Sequence, residues 1–74
     1  MNEKLYELLL KLPRRNLLNL MLVALDEMQS YNGRSAAVCI LLAVGATEDE
    51  EESGRWRLPS LAQIREITND CPLL

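Results

Sequence analysis

Leucine fills 16 of the 74 positions, and over residues 5–25 it recurs at the three- and four-residue spacing of a helix. Leu5, Leu8, Leu9 and Leu12 form one such stripe, which predicts a helix over Glu3–Leu12 with Asn2 as its N-cap. Pro13 ends that helix or bends the chain into the next. Leu17, Leu18, Met21, Leu22, Leu25 and Met28 continue the period over a second helix from about Arg14 to Tyr31. Leu20, Val23 and Ala24 widen its apolar face, as expected of a central helix, while Asp26, Glu27 and Gln29 mark its wet side. Asn32-Gly33 is a suitable stop, because both residues tolerate the left-handed conformation.

The nine-residue apolar run Ala36–Val44 fits a buried strand or a buried helix by period alone. Propensity favours a helix from the N-cap Ser35 to Gly45. Thr47–Gly54 then breaks the composition with five consecutive acids, Glu48 to Glu52. It reads as a solvated loop, or as one or two helical turns using Thr47 and Glu50 as a capping box. Arg55-Trp56-Arg57-Leu58 alternates polar and apolar, so a short extended piece is open at 55–58, although a strand alone has no partner. Ser60 and Gln63 form a second capping-box pair ahead of the stripe Leu61, Ile64, Ile67, and Pro72 stops any continuation. The expected fold is all-α: one domain over residues 1–70, a compact bundle of three to four helices, with a frayed tail at 71–74. The expected core is Leu8, Leu12, Leu18, Met21, Leu22, Leu25, Val38, Leu41, Leu42, Leu61 and Ile64.

Composition narrows the chemistry. The chain has no histidine, which excludes Ser-His-Asp triads, Cys-His dyads and Cys₂His₂ zinc sites. The four serines lack an activating base, Asp26 and Glu27 diverge on a helix, and Gly33, Gly45 and Gly54 build no phosphate-cradling loop. No enzyme activity, cofactor, metal or small-molecule substrate is expected. Cys39 and Cys71 are unclustered, which fits a reducing compartment. No apolar run approaches the roughly 20 residues of a membrane span, and no secretory signal opens the chain. A cytoplasmic protein without membrane association is expected.

Charge is uneven. Residues 1–47 carry five basic and four acidic groups, and residues 48–74 carry three basic and seven acidic groups. The acidic second half disfavours phosphate binding, so nucleic acid is not the expected partner. Candidate partner-binding residues are Arg55, Trp56 and Arg57, since Trp and Arg are frequent interface anchors. Glu50, Glu51 and Glu52 would steer a basic surface by charge, or only keep the loop solvated. Trp56 would either anchor a partner or plug a small core that has no phenylalanine. Arg14 and Arg15 could meet acidic groups or phosphate, or remain solvated charges near a helix end. Two other readings stay open. One is a helix-turn-helix-like DNA binder, although residues 36–44 offer no polar side chain to base edges. The other is a self-assembling accessory subunit.

The acidic run 48–52, the Arg55-Trp56-Arg57 stretch and the lack of catalytic equipment give an overall profile. It resembles small phage-encoded proteins that bind host RNA polymerase and block or redirect initiation. The likeness is one of profile, and it transfers no functional residue. It implies a non-catalytic regulator that binds a larger protein machine, with bacterial RNA polymerase as a concrete target and inhibition or redirection of transcription as the effect.

Overall fold

A computed structural model describes residues 3–30 and 33–73. Asn2 as a cap, Tyr31 as a helix end, Asn32 as half of a stop and Leu74 in the tail lie outside the described residues. The described elements are α1 (Glu3–Leu10), α2 (Arg14–Ser30), α3 (Ala36–Ala43), β1 (Thr47–Glu48), β2 (Trp56–Arg57) and α4 (Leu61–Thr68). The expected helical architecture is present, with a minimal antiparallel hairpin added to it.

Local chemistry sets most boundaries. α1 ends two residues earlier than its leucine stripe, because Pro13 disfavours helical backbone at Leu12. Lys11 and Leu12 close that end with tight turns, donating to the carbonyls of Leu8 (3.2 Å) and Leu9 (3.1 Å). Ser35 caps α3 by accepting from the Val38 amide at 3.2 Å. The far end of α3 is a Schellman motif. Gly45 adopts φ +86°, its N–H donates to Leu42, and the Ala46 N–H reaches back to Leu41. A side chain at Gly45 would be strained by this φ, and its Cβ would stand 2.8 Å from Cδ1 of Ile67, which would have to shift. α4 opens with the expected capping box: Ser60 accepts from the Gln63 amide, and the Gln63 carboxamide accepts from the Ser60 amide.

The core gathers Leu5, Leu12, Leu20, Ala24, Leu41, Ala43, Val44, Ala46 and Ile64. Leu8, Leu9, Leu17, Val23, Ile40, Trp56, Leu58 and Leu61 pack around them. α2 is the hub, in contact with both α3 and α4. α3 is apolar on all sides, so it has no single core-facing stripe.

The expected inward face of α2 is corrected. Leu18, Met21, Leu22 and Leu25 were expected in the core, yet they are 40–58% exposed, as is Met28. The buried face instead holds Asn16, Asn19, Leu20 and Ala24. The reason is polar. Asn16 and Asn19 are only 5% and 8% exposed, and both amides donate to the C-terminal end of α4. The Asn16 amide serves the Arg65 carbonyl, the Thr68 hydroxyl and the Asn69 side-chain oxygen at 3.0–3.1 Å. The Asn19 amide donates to the carbonyls of Thr68 (2.8 Å) and Asn69 (3.3 Å). Helix ends leave carbonyls without intrahelical partners. No glycine follows α4 to close its end, and Asn69 keeps right-handed helical geometry. α2 therefore supplies the missing donors. Small Ala24, on the same face, is buried in the core.

On α4 the stripe is likewise rotated: Ile64 is fully buried, Thr68 is buried, and Ile67 is half-exposed. The Thr68 hydroxyl donates to the Ile64 carbonyl at 2.6 Å and accepts from Asn16, so its burial leaves no polar atom idle.

The assignment of faces has a direct consequence. Leu20→Ala is expected to lower unfolding free energy by about 2–4 kcal/mol. Leu18→Ala is expected to change it by no more than about 0.5 kcal/mol. Urea unfolding of both variants at low micromolar protein, where self-association is negligible, measures the difference.

Candidate protein-binding hairpin

The extended stretch 55–58 finds its partner across the acidic run. β1 and β2 pair antiparallel, with Thr47 opposite Arg57 and Glu48 opposite Trp56. Thr47 and Glu50 thus form no capping box and no helical turn. The five acids start on β1 and run through the loop that joins the strands. Both roots of the hairpin are fixed: Ala46 is held in the core at the end of α3, and Leu58 leads through Pro59 to the capped start of α4.

Some of the acids build the loop. The Asp49 amide donates to the Arg55 carbonyl at 2.8 Å, extending the ladder. The Asp49 carboxylate accepts from the Glu51 amide at 2.9 Å, an Asx-turn contact. The Glu48 carboxylate accepts from the Gly54 amide at 3.1 Å, and Gly54 takes φ +89° to make the reversal. Glu52 pairs with Arg55 at 3.2 Å on an open surface. Glu50 and Glu51 are exposed, and their side chains make no hydrogen bond or ion pair among the described residues.

Strand alternation divides Arg55-Trp56-Arg57. Successive side chains of a strand point to opposite faces. Trp56 is half-buried and packs against the core, while Arg55 and Arg57 are exposed. Trp56 therefore meets both alternatives in part: it packs on the core and keeps a share of its surface accessible. An open hollow of about 830 Å³ lies against the hairpin, lined by Lys4 of α1 and by residues 47–51 and 55–58. Its walls are chiefly polar, with Trp56 and Leu58 as the large apolar contributors.

The candidate residues thus fall into two groups. Glu50, Glu51, Glu52, Arg55, Trp56 and Arg57 share the hairpin. Arg14 and Arg15 are exposed in the first turn of α2 and do not line the hollow. Among the described residues, no three His, Cys, Asp or Glu side chains converge to hold a metal ion. Cys39 is a buried free thiol and Cys71 a half-buried one. No helix among the described residues is long and apolar enough to cross a membrane. The hollow thus brings exposed Arg55 and Arg57, several carboxylates and part of the Trp56 indole together. Compared with known proteins, the chain matches no family model, no curated protein and no solved structure.

The sequence reading missed the outward apolar face of α2. Its signal was present, since apolar residues cover far more of that helix than one core-facing stripe requires.

The different burial of the three hairpin residues is measurable. Trp56→Ala is expected to cost about 2 kcal/mol, roughly half the value of a fully buried aromatic. Arg55→Ala and Arg57→Ala are each expected to stay within about 0.5 kcal/mol of wild type, as exposed charges do. Urea midpoints of the three variants test this.

Proposed function

We propose that the protein is a non-catalytic regulator that binds a larger protein through the β1–β2 hairpin. The observation that carries this reading is the hairpin itself. It is anchored at both roots, it holds Trp56 partly accessible, and it sets Arg55 and Arg57 beside exposed Glu50 and Glu51. A rigid projection with an aromatic and arginines suits an interface anchor, because little conformational freedom is lost on binding. The carboxylates would raise the encounter rate with a basic surface. Bacterial RNA polymerase is the most concrete target, a choice that rests on the overall profile of the chain. Occupation of its surface would inhibit or redirect transcription in the cytoplasm.

A tagged pull-down from nuclease-treated bacterial lysate, read by mass spectrometry, tests the reading. Arg55→Ala/Arg57→Ala is the informative variant, because Trp56→Ala also removes core contacts. Wild type is expected to retain one complex that the arginine variant loses. RNA polymerase subunits would establish the named target, and a different single complex would replace it. Recovery of the same complex by both proteins would remove the hairpin from the interface. With the partner in hand, Glu50→Gln/Glu51→Gln/Glu52→Gln is expected to slow association several-fold at low salt and little at high salt.

A further inference from the structure

The outward face of α2 is a second, separate surface. Leu18, Met21, Leu22, Leu25 and Met28 are each 40–58% exposed. On a helix of 3.6 residues per turn they fall within a band about 120° wide, opposite the buried Asn16, Leu20 and Ala24. Leu18, Met21, Leu25 and Met28 follow alternating three- and four-residue steps, the seam that pairs one helix with another. Such a band presents on the order of 400 Å² of apolar surface per copy, as much as the largest patch of a typical monomer. Two copies would bury about 800 Å² of this apolar surface, below the roughly 1,200 Å² at which stable specific interfaces begin, so a weak dimer is expected unless polar rims add to it.

Charge identifies the occupant. Arg14 and Arg15 lie in the first turn of α2, which holds no acid, and Asp26 and Glu27 lie near its end, whose last turn holds no base. Cations beside a helix N-terminus oppose the helix's own dipole. Arg14, Arg15 and Asp26 form no ion pair among the described residues, whereas Glu27 is bound to Arg34 at 2.9 Å. A second α2 running antiparallel meets this pattern. It sets the arginines of each copy beside Asp26 and the C-terminal end of the other helix, where the dipole favours cations. A parallel pairing would place like charges together.

We propose that the protein forms an antiparallel homodimer through this face of α2, about a twofold axis near Met21 and Leu22. Leu18 of each copy then packs against Leu25 of the other, and Met28 lies along the stem of Arg15.

Sedimentation equilibrium from about 10 µM to about 1 mM tests the dimer in the concentration range expected for an interface of this size. The mass is expected to rise to twice the 8.4 kDa of one chain. Leu25→Lys and Met21→Lys are expected to raise the dissociation constant at least tenfold, with an unchanged far-ultraviolet circular dichroism spectrum, since both positions are exposed. At low salt Arg15→Glu is expected to weaken the dimer several-fold, and Arg15→Glu/Asp26→Arg to restore it. A monomer at every concentration, or a dimer indifferent to both lysine variants, would overturn the proposal. A dimer that the charge exchange fails to restore would overturn its antiparallel orientation.

Discussion

Two side-chain amides hold the end of α4. Asn16 and Asn19 sit one helical turn apart on α2, and their N–H groups reach the carbonyls of Arg65, Thr68 and Asn69. Helix ends leave such carbonyls short of intrahelical donors, and of these three only that of Arg65 has another one among the described residues, the Thr68 hydroxyl at 3.5 Å. An unpaired buried acceptor costs about 1–3 kcal/mol, a large fraction of the stability of a domain this small. The same bonds fix the rotation of α2. Once Asn16 and Asn19 face α4, Leu20 and Ala24 must face the core, and Leu18, Met21, Leu22, Leu25 and Met28 must face out.

That rotation organises the surfaces of the molecule. The hairpin is fixed between the Schellman end of α3 and the capped start of α4, and α4 is in turn held by α2. The hairpin thus owes its placement to an interaction distant from it in sequence. The outward ridge of α2 is a product of the same constraint. A helix that spends its inward face on asparagine, alanine and a few leucines carries its remaining large apolar side chains outside. The two surfaces differ in character: one is small, charged and aromatic, and the other is long and aliphatic. Different occupants are proposed for them, a foreign protein and a second copy of the chain.

What was legible in the sequence was what local chemistry decides. Ser35 as a cap, Ser60 with Gln63 as a capping box, Gly45 as a stop and Pro13 as a break each act over a few residues, and each stands as read. The hairpin was half legible. The alternation at Arg55-Trp56-Arg57 was visible, but its partner Thr47–Glu48 was hidden in an acidic run that resembles a plain loop. The contact depends on the Gly54 turn and the Asp49 and Glu48 carboxylates closing on backbone amides. The face of α2 was not legible from its period, because apolar residues occupy both sides and only the long-range bonds of Asn16 and Asn19 choose between them. Two asparagines inside one helix were the available clue, since asparagine is a weak helix former that needs another reason to be there. The hairpin group of candidate residues was readable because its members are nearly contiguous. Arg14 and Arg15 stand apart in the sequence, near a helix end, and they stay apart from the hairpin in the fold.

The coupling between Asn16 and Thr68 is the most direct measure of this account. Urea unfolding of Asn16→Ala, Thr68→Val and the double variant gives it as a double-mutant cycle, in which the cavity and propensity costs of each substitution cancel to first order. An interaction of about 1 kcal/mol or more is expected, in the range of residues sharing a buried hydrogen-bond network. Two substitutions that simply add, to within about 0.3 kcal/mol, would contradict it and would leave apolar burial alone to position α4.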